Sequence, residues 1–191
     1  PWARIPDGAS PYRQDARPAI YDYHFYINKT MKFSERMQAA INEQINFEMF
    51  SANTYLSMSA YFSQQGLDGF AHWYYMQYKE ELAHAEDMMR YVITRGGKVE
   101  IKAVAAVETE FNSPLEIAEK AYHHECLVSE KIENLVRIAS EEKDMPSQDF
   151  FWKYIREQVE EEANATNLID RVRMAKDAAI LFLDKELAAR Q

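Results

Sequence analysis

The sequence predicts an all-α domain: four long helices packed as a bundle, one long crossover loop between the second and third, and a short fifth helix at the C-terminus. Three observations lead there. The chain has five glycines and six prolines, and after residue 30 only Pro114 and Pro146 remain, so helix-breaking residues are confined to a few places. Between those breaks, apolar residues recur at intervals of three and four, the period of one helix face. The segment from Lys98 to Asn112 loses that period. At about 3.3 Å per extended residue it reaches roughly 50 Å, more than the roughly 40 Å height of such a helix.

Composition narrows the function. The 191 residues, 47% hydrophobic and 28% charged, suffice for one domain with a real core. A formal net charge of −9 argues against nucleic acid and anionic membranes as partners and suits a protein that handles cations. No apolar run is long enough to span a bilayer and no secretory signal peptide is found. The single cysteine, Cys126, cannot make an internal disulfide and fits a reducing cytosol, so a cytoplasmic location is expected. Residues 1–30 differ in kind. Pro1, Pro6, Pro11 and Pro18 are followed by the aromatic run Tyr21 to Tyr26 without helical period, and Met31 looks like a natural start. The expectation is an irregular N-terminal extension over 1–30, a leader or cloning-derived segment or alternatively an aromatic docking segment, ahead of one domain over 31–191.

The first helix, from residue 35, carries Ile41, Ile45, Glu48, Ala52, Tyr55, Ser59 and Phe62 along one line, and Gly66 is placed to end it. Glu48 interrupts the apolar stripe. An unpaired carboxylate there would cost several kcal/mol, so it must be paired or coordinated. The second helix, Leu67 to Arg95, carries Phe70, Tyr74, Gln77, Glu81, His84, Met88 and Val92, and stops at Gly96 and Gly97. Glu81 and His84 lie three residues apart, close enough on a helix for a carboxylate oxygen and an imidazole nitrogen to reach one metal ion.

After the crossover, Ser113, Pro114 and Glu116 supply an N-cap, a first-turn proline and a capping-box glutamate for the third helix. Its stripe reads Ala118, Tyr122, Glu125, Ser129, Ile132 and Val136. The crossover returns the chain to the same end of the bundle, so helices two and three run parallel. A short turn at Asp144, Met145 and Pro146 makes the fourth helix, from near Ser147, an antiparallel neighbour. It carries Phe151, Tyr154, Gln158, Glu161, Ala165, Leu168 and Val172, with Gln158 and Glu161 repeating the three-residue spacing. The fifth helix, Ala178 to Leu187, is too apolar to stand free in water.

Glu48, Glu81, Glu125 and Glu161 all fall near the midpoints of their helices, and groups at midpoints meet at one level whichever way each helix points. A charged helical residue is ordinarily solvated. Four on four inner faces at one depth form a ligand set instead. Carboxylates with a single imidazole suit Fe, Mn or Zn, and two ions can share a bridging carboxylate. The competing class is a non-catalytic helical assembly whose buried glutamates pair with Arg or Lys.

The motifs Asn46-Phe47-Glu48 with Tyr55, Glu80-Glu81-x-x-His84, His124-Glu125 and Glu157-Gln158-x-Glu160-Glu161 resemble those of the bacterial non-haem ferritins, from about Met31 to the C-terminus. That resemblance implies a ferritin-like di-iron subunit in a homo-oligomeric shell of about 24 subunits. It implies oxidation of Fe(II) by dioxygen or hydrogen peroxide and storage of the ferric mineral. It further implies that Glu48, Glu81 and His84 hold a first iron, near Tyr55, and that Glu81 bridges to a second held by Glu125 and Glu161, with Gln158 beside it. A third, weaker position would use Glu80, Glu157 and Glu160 with a share of Glu161. Helix four carries Gln158-x-x-Glu161 where a bacterioferritin has Glu-x-x-His, and Leu82 stands where its haem-ligating Met belongs, so no haem is expected. One cysteine excludes a rubrerythrin-type Cys-x-x-Cys iron module.

His24, His72 and His123 have no partner pattern and read as ordinary packing or surface residues. Cys126 reads as a packed thiol and the methionines at helical spacing as core filler. Glu141, Glu142, Asp144 and Asp149 form either an ion entrance or a solvated helix end.

Overall fold

The computed structural model describes residues 34–175 and 179–189; the N-terminal extension expected over residues 1–30 lies outside them. Five helices follow in order: α1 (Glu35–Gln64), α2 (Asp68–Thr94), α3 (Pro114–Glu141), α4 (Met145–Met174) and α5 (Ala179–Leu187). No strand occurs among the described residues, and no helix is long and apolar enough to cross a membrane.

Local chemistry fixes the ends. Ser34 starts α1 by accepting the Met37 amide on its hydroxyl at 2.9 Å, which satisfies one of the first-turn donors that have no helical partner. Gly66, at φ 73°, ends it: the Leu67 amide returns to the Phe62 carbonyl and the Gly66 amide to that of Ser63, a closure that needs a left-handed residue. Gly96 closes α2 in the same way and Lys143, at φ 57°, closes α3. Ser113 caps α3 as expected. Glu116, however, reaches back to the amide and side chain of Asn112 rather than to the N-cap amide of the capping-box expectation. Helix α4 begins at Met145, two residues before the expected start, because the Asp144 carboxylate accepts the Ser147 amide and places Pro146 in the first turn.

Paired residues give the directions. Tyr55 with Tyr74 and Ser59 with Ala71 set α1 against α2 antiparallel. Phe47 and Ser51 with His124, and Arg36 with Glu141, set α1 antiparallel to α3. Gln77 with Glu161, His84 with Glu157 and Arg95 with Asp144 set α2 antiparallel to α4. With α3 and α4 joined as a hairpin, α2 and α3 run parallel, as the length of the crossover predicts.

The crossover is held by a device not anticipated from sequence. Gln38, Asn42 and Asn46, spaced by four on α1, present their amides to successive peptide groups of the loop. Gln38 accepts the Lys98 amide at 2.9 Å. Asn42 donates to the Lys98 carbonyl at 2.8 Å and accepts the Glu100 amide at 2.7 Å. Asn46 repeats that pair at Glu100 and Lys102. Side chains thus supply the ladder that a neighbouring strand would otherwise supply, and the loop backbone is satisfied without secondary structure.

The core is two apolar clusters. One contains Tyr55, Phe62, Phe70, Tyr74, Ile117 and Leu168; the other Ile41, Ile45, Met88, Ile132, Phe151 and Tyr154. Between them, each helix contributes polar residues: Glu48 from α1; Gln77, Glu81 and His84 from α2; His124 and Glu125 from α3; Gln158 and Glu161 from α4. The buried line of α3 runs Ile117, Ala121, His124, Glu125, Val128, Ile132 and Leu135. Tyr122, Ser129 and Val136, assigned to it from spacing, are only half-buried, because the inner face is centred one residue away.

Helix α5 buries Leu183 and Leu187 but leaves Leu181 and Phe182 outward, 61% and 75% exposed. Its Asp184 caps the next helix over, accepting the Phe70 amide at 2.9 Å. The approach is so close that a Cβ on Gly69 would lie 1.6 Å from the Asp184 carbonyl oxygen.

Candidate metal centre

Glu48, Glu81 and His84 each offer a ligand atom within 4.8 Å of the others, the one such group of three among the described residues. Glu48 and Glu81 are almost wholly buried and His84 mostly so. The Gln44 amide donates to one Glu48 oxygen at 2.8 Å. The other Glu48 oxygen and Glu81 Oε2 are buried without a hydrogen-bond partner among the described residues, and the approach of His84 Nδ1 to Glu81 is long, 3.4 Å. Buried carboxylate oxygens left in that state cost more than a hydrogen bond returns. The donor set, two carboxylates and an imidazole, fits a divalent cation that would satisfy them together.

The electrostatics carry the same sign. Burial, and then the charge of Glu81, push Glu48 well above the ordinary carboxylate range, and burial raises Glu81 as well. Burial alone would lower His84, but Glu157 and Glu81 on either side raise it to about 11. Without a cation the protein keeps protons where a cation would sit.

Glu125 and Glu161 are brought to one cavity, lined also by Tyr55, Tyr74 and Gln77. Both Glu125 oxygens are engaged, one by the Tyr55 hydroxyl and the other by the Gln158 amide at 3.0 Å. Tyr55, expected beside the first ion, therefore reaches across to a ligand expected at the second. Burial, with the charges of Glu161 and Glu48, raises Glu125 to about 7 against the hydrogen bonds from Tyr55 and Gln158. The Gln77 amide donates to Glu161 at 3.1 Å.

Of the residues expected at a third position, Glu157 stands 3.2 Å from His84 Nε2. Glu80 shares an open groove with both of them. Glu160 is exposed and not among the residues lining that groove.

Three supporting residues were given no role from sequence, although His124 stands in the His124-Glu125 motif and Gln77 on the inner stripe of α2. Gln44 and Gln77 look like ordinary polar members of a stripe, and their sign is only that each lies four residues before a glutamate on the same face. His124 is buried, stacks on Phe47 and shares a hydrogen bond with Ser51 at 2.7 Å; burial lowers it to about 4, which keeps it neutral. The acidic group at the α3–α4 turn is largely taken up in structure. Glu141 pairs with Arg36 and Arg137, Asp144 with Arg95, and Glu142 accepts the Ser34 hydroxyl.

The family description that fits the chain is that of the ferritin-like domain, matched over residues 38–175. A bacterial non-heme ferritin of Bacteroides fragilis is 48% identical over 157 residues, covering 82% of this chain and 99% of that protein. One from Staphylococcus haemolyticus is 38% identical over 159 residues, covering 82% and 96%. Among solved structures, an open pore ferritin from the hyperthermophilic archaeon Archaeoglobus fulgidus superposes with a TM-score of 0.82 at 45% identity, over 84% of this chain and 99% of that one.

Proposed function

The chain belongs to the ferritin family, and from that premise we propose that it takes up Fe(II), oxidises it with dioxygen or peroxide at a two-iron position inside the bundle, and stores the ferric product in a hollow homo-oligomeric shell. The observation that carries this reading is the polar layer between two apolar clusters, where Glu48, Glu81 and His84 converge to within 4.8 Å.

In this reading Glu48, Glu81 and His84 receive one Fe(II), and Glu81 is shared with a second received by Glu125 and Glu161. Fe(II) is the substrate and supplies the electrons. The residues supply a negative, largely dry site with protons to give up. His84 is held as imidazolium by Glu157 and Glu81 and releases a proton when a cation arrives; Glu48 and Glu125, raised by burial, release theirs. For Glu125 to turn to a cation it must exchange the Tyr55 and Gln158 hydrogen bonds, so those two residues hold it ready between turnovers. Carboxylates hold Fe(III) less permanently than thiolates would, as a product that must leave requires.

Aerobic addition of Fe(II), followed by near-ultraviolet absorbance, tests the oxidation, and light scattering of the same sample tests the shell. Glu81→Ala is expected to abolish the fast phase and leave the assembly intact. Wild-type kinetics in that variant would place the chemistry elsewhere, and a mass near one subunit would overturn the shell.

A further inference from the structure

Glu48 is wholly buried, and its two oxygens are in different states. Oε1 accepts the Gln44 amide at 2.8 Å, whereas Oε2 has no hydrogen-bond partner among the described residues. Gln44 lies one helical turn before Glu48 on α1 and is itself 3% exposed. It lines a small cleft with Lys131, Asn134 and Leu135 of α3, while Glu81 and His84, whose ligand atoms lie within 4.8 Å of that of Glu48, come from α2. On a helix surface a Gln–Glu pair at this spacing is a minor contact. Buried, it decides which oxygen of Glu48 can turn to an ion, because Oε1 can be given up only by leaving a buried amide without its acceptor.

We infer that Gln44 is a positioning residue that sets ion specificity: by holding one oxygen of Glu48 it makes Glu48 a one-oxygen ligand, and so fits the position shared with Glu81 and His84 to a small divalent cation rather than to Ca(II). The inference rests on the iron-oxidising reading and deepens it by naming what selects the ion there. The reason is coordination number. Ca(II) takes about six to eight oxygens and commonly draws on both oxygens of a carboxylate. A single Glu48 oxygen, Glu81 and one imidazole leave such an ion short of oxygen ligands in a buried site. Fe(II), Co(II) and Zn(II) accept fewer ligands, with an imidazole among them. Gln44 touches no ion in this scheme; it acts through the orientation of Glu48 alone.

The test uses the assembled wild-type protein and two variants. Gln44→Met keeps the length and bulk of the side chain and removes the donor; Gln44→Asn keeps the amide but withdraws it by one methylene. Co(II) and Ca(II) affinities are measured by calorimetric titration under nitrogen. The visible spectrum of bound Co(II) gives a second reading, because its d–d bands weaken as the coordination number rises. In Gln44→Met the Glu48 carboxylate is free to offer both oxygens, so the preference for Co(II) over Ca(II) is expected to fall about tenfold, the scale on which groups that orient metal ligands act, and the Co(II) bands are expected to weaken. Gln44→Asn is expected to move both readings the same way. An equal loss of affinity for the two ions, with preference and spectrum unchanged, would make Gln44 a support of the fold only and would overturn the inference, as would wild-type affinities in both variants. Failure of the wild-type protein to bind Co(II) at all is a different result, which removes the proposed metal centre and this inference with it.

Discussion

Tyr154 on α4 stands edge-on to His84 on α2, with ring centroids 5.2 Å apart and planes at 89°. Its hydroxyl donates to Asp87 at 2.9 Å, and Lys153 pairs with the same carboxylate. Asp87 lies three residues beyond His84, so the helix that carries the imidazole also anchors the ring that limits its rotation. Tyr154 is 3% exposed and can shift only by opening the core around Phe151.

Groups that orient a metal-binding histidine commonly account for 10–100-fold in affinity. Tyr154→Leu, which removes the ring, is therefore expected to weaken anaerobic Co(II) or Fe(II) binding about tenfold. Tyr154→Phe, which keeps the ring and frees Asp87, is expected to cost less. Calorimetric titration under nitrogen measures both; equal affinity in Tyr154→Leu and the wild type would show that His84 is held by its carboxylate neighbours alone.

The shifted groups at the centre predict a pH dependence of opposite sign with and without metal. Glu125 rises from 4.5 to about 7, Glu48 and Glu81 also rise, and His84 rises from 6.5 to about 11. A group whose folded pKa lies above its unfolded value contributes stability that is full below the unfolded pKa and is lost as pH climbs through the folded one. The metal-free protein therefore loses stability as pH climbs above about 6.5, with Glu125 contributing up to about pH 7 and His84 from pH 6.5 to about 11. The lowered groups act below that window: Glu116 and Glu141 titrate under the ordinary carboxylate range, and His124, lowered from 6.5 to about 4, adds stability as pH climbs between those two values and none above. Metal binding displaces the same protons and strengthens over the same interval. Melting by calorimetry is expected to give a metal-free midpoint several degrees lower at pH 8 than at pH 6, with a larger upward shift on adding Zn(II) at pH 8. A metal-free midpoint that rises from pH 6 to 8 would contradict it.

Gly69 admits no side chain. The added methyl of Gly69→Ala would meet the Asp184 backbone at 1.6 Å, far inside van der Waals contact, so α5 must move and the Asp184 cap on Phe70 is lost. The expected cost is about 2–4 kcal/mol, combining overpacking with a lost cap, read as a lower melting temperature and faster proteolysis at the C-terminal helix. Unchanged protection of α5 would show that the helix can dock in a second register.

How much of this was legible in the sequence depended on periodicity. Helical spacing placed Glu48, Glu81, Glu125, Gln158 and Glu161 on inner faces because the residues three and four away are apolar, and the structure buries Glu48, Glu81, Glu125 and Gln158 and half-buries Glu161. Spacing was weakest on α3, where Ala118 and Tyr122 and also Ile117 and Ala121 form acceptable lines; the structure buries Ile117, Ala118 and Ala121 and leaves Tyr122 half-buried. It was silent on the crossover, since the ladder from Gln38, Asn42 and Asn46 joins residues more than fifty positions apart. It also could not show that Glu125 spends both oxygens on Tyr55 and Gln158, because hydrogen-bond partners across helices follow from rotamers rather than period.

The last prediction concerns Glu157, which has two possible duties. At 3.2 Å from His84 Nε2 it fixes the far nitrogen of the imidazole and so leaves Nδ1, the nitrogen facing Glu81, to a cation. The hydrogen bond to His84 also lowers Glu157 below the usual carboxylate range, so it stays ionised. A third, weaker iron position built with Glu80 and Glu160 would have to share Glu157 with His84. Glu160, exposed and outside the groove that Glu80, His84 and Glu157 line, would have to turn inward. Such a position is expected to fill only after the first two and at higher iron. Glu157→Ala is expected both to empty it and to weaken the first by about tenfold, whereas Glu157→Gln, which keeps an acceptor for His84, is expected to empty the third and spare the first. Anomalous diffraction from iron-soaked crystals of the wild type and both variants distinguishes these outcomes; two positions only in the wild type, even at high iron, would leave Glu157 with His84 as its single duty.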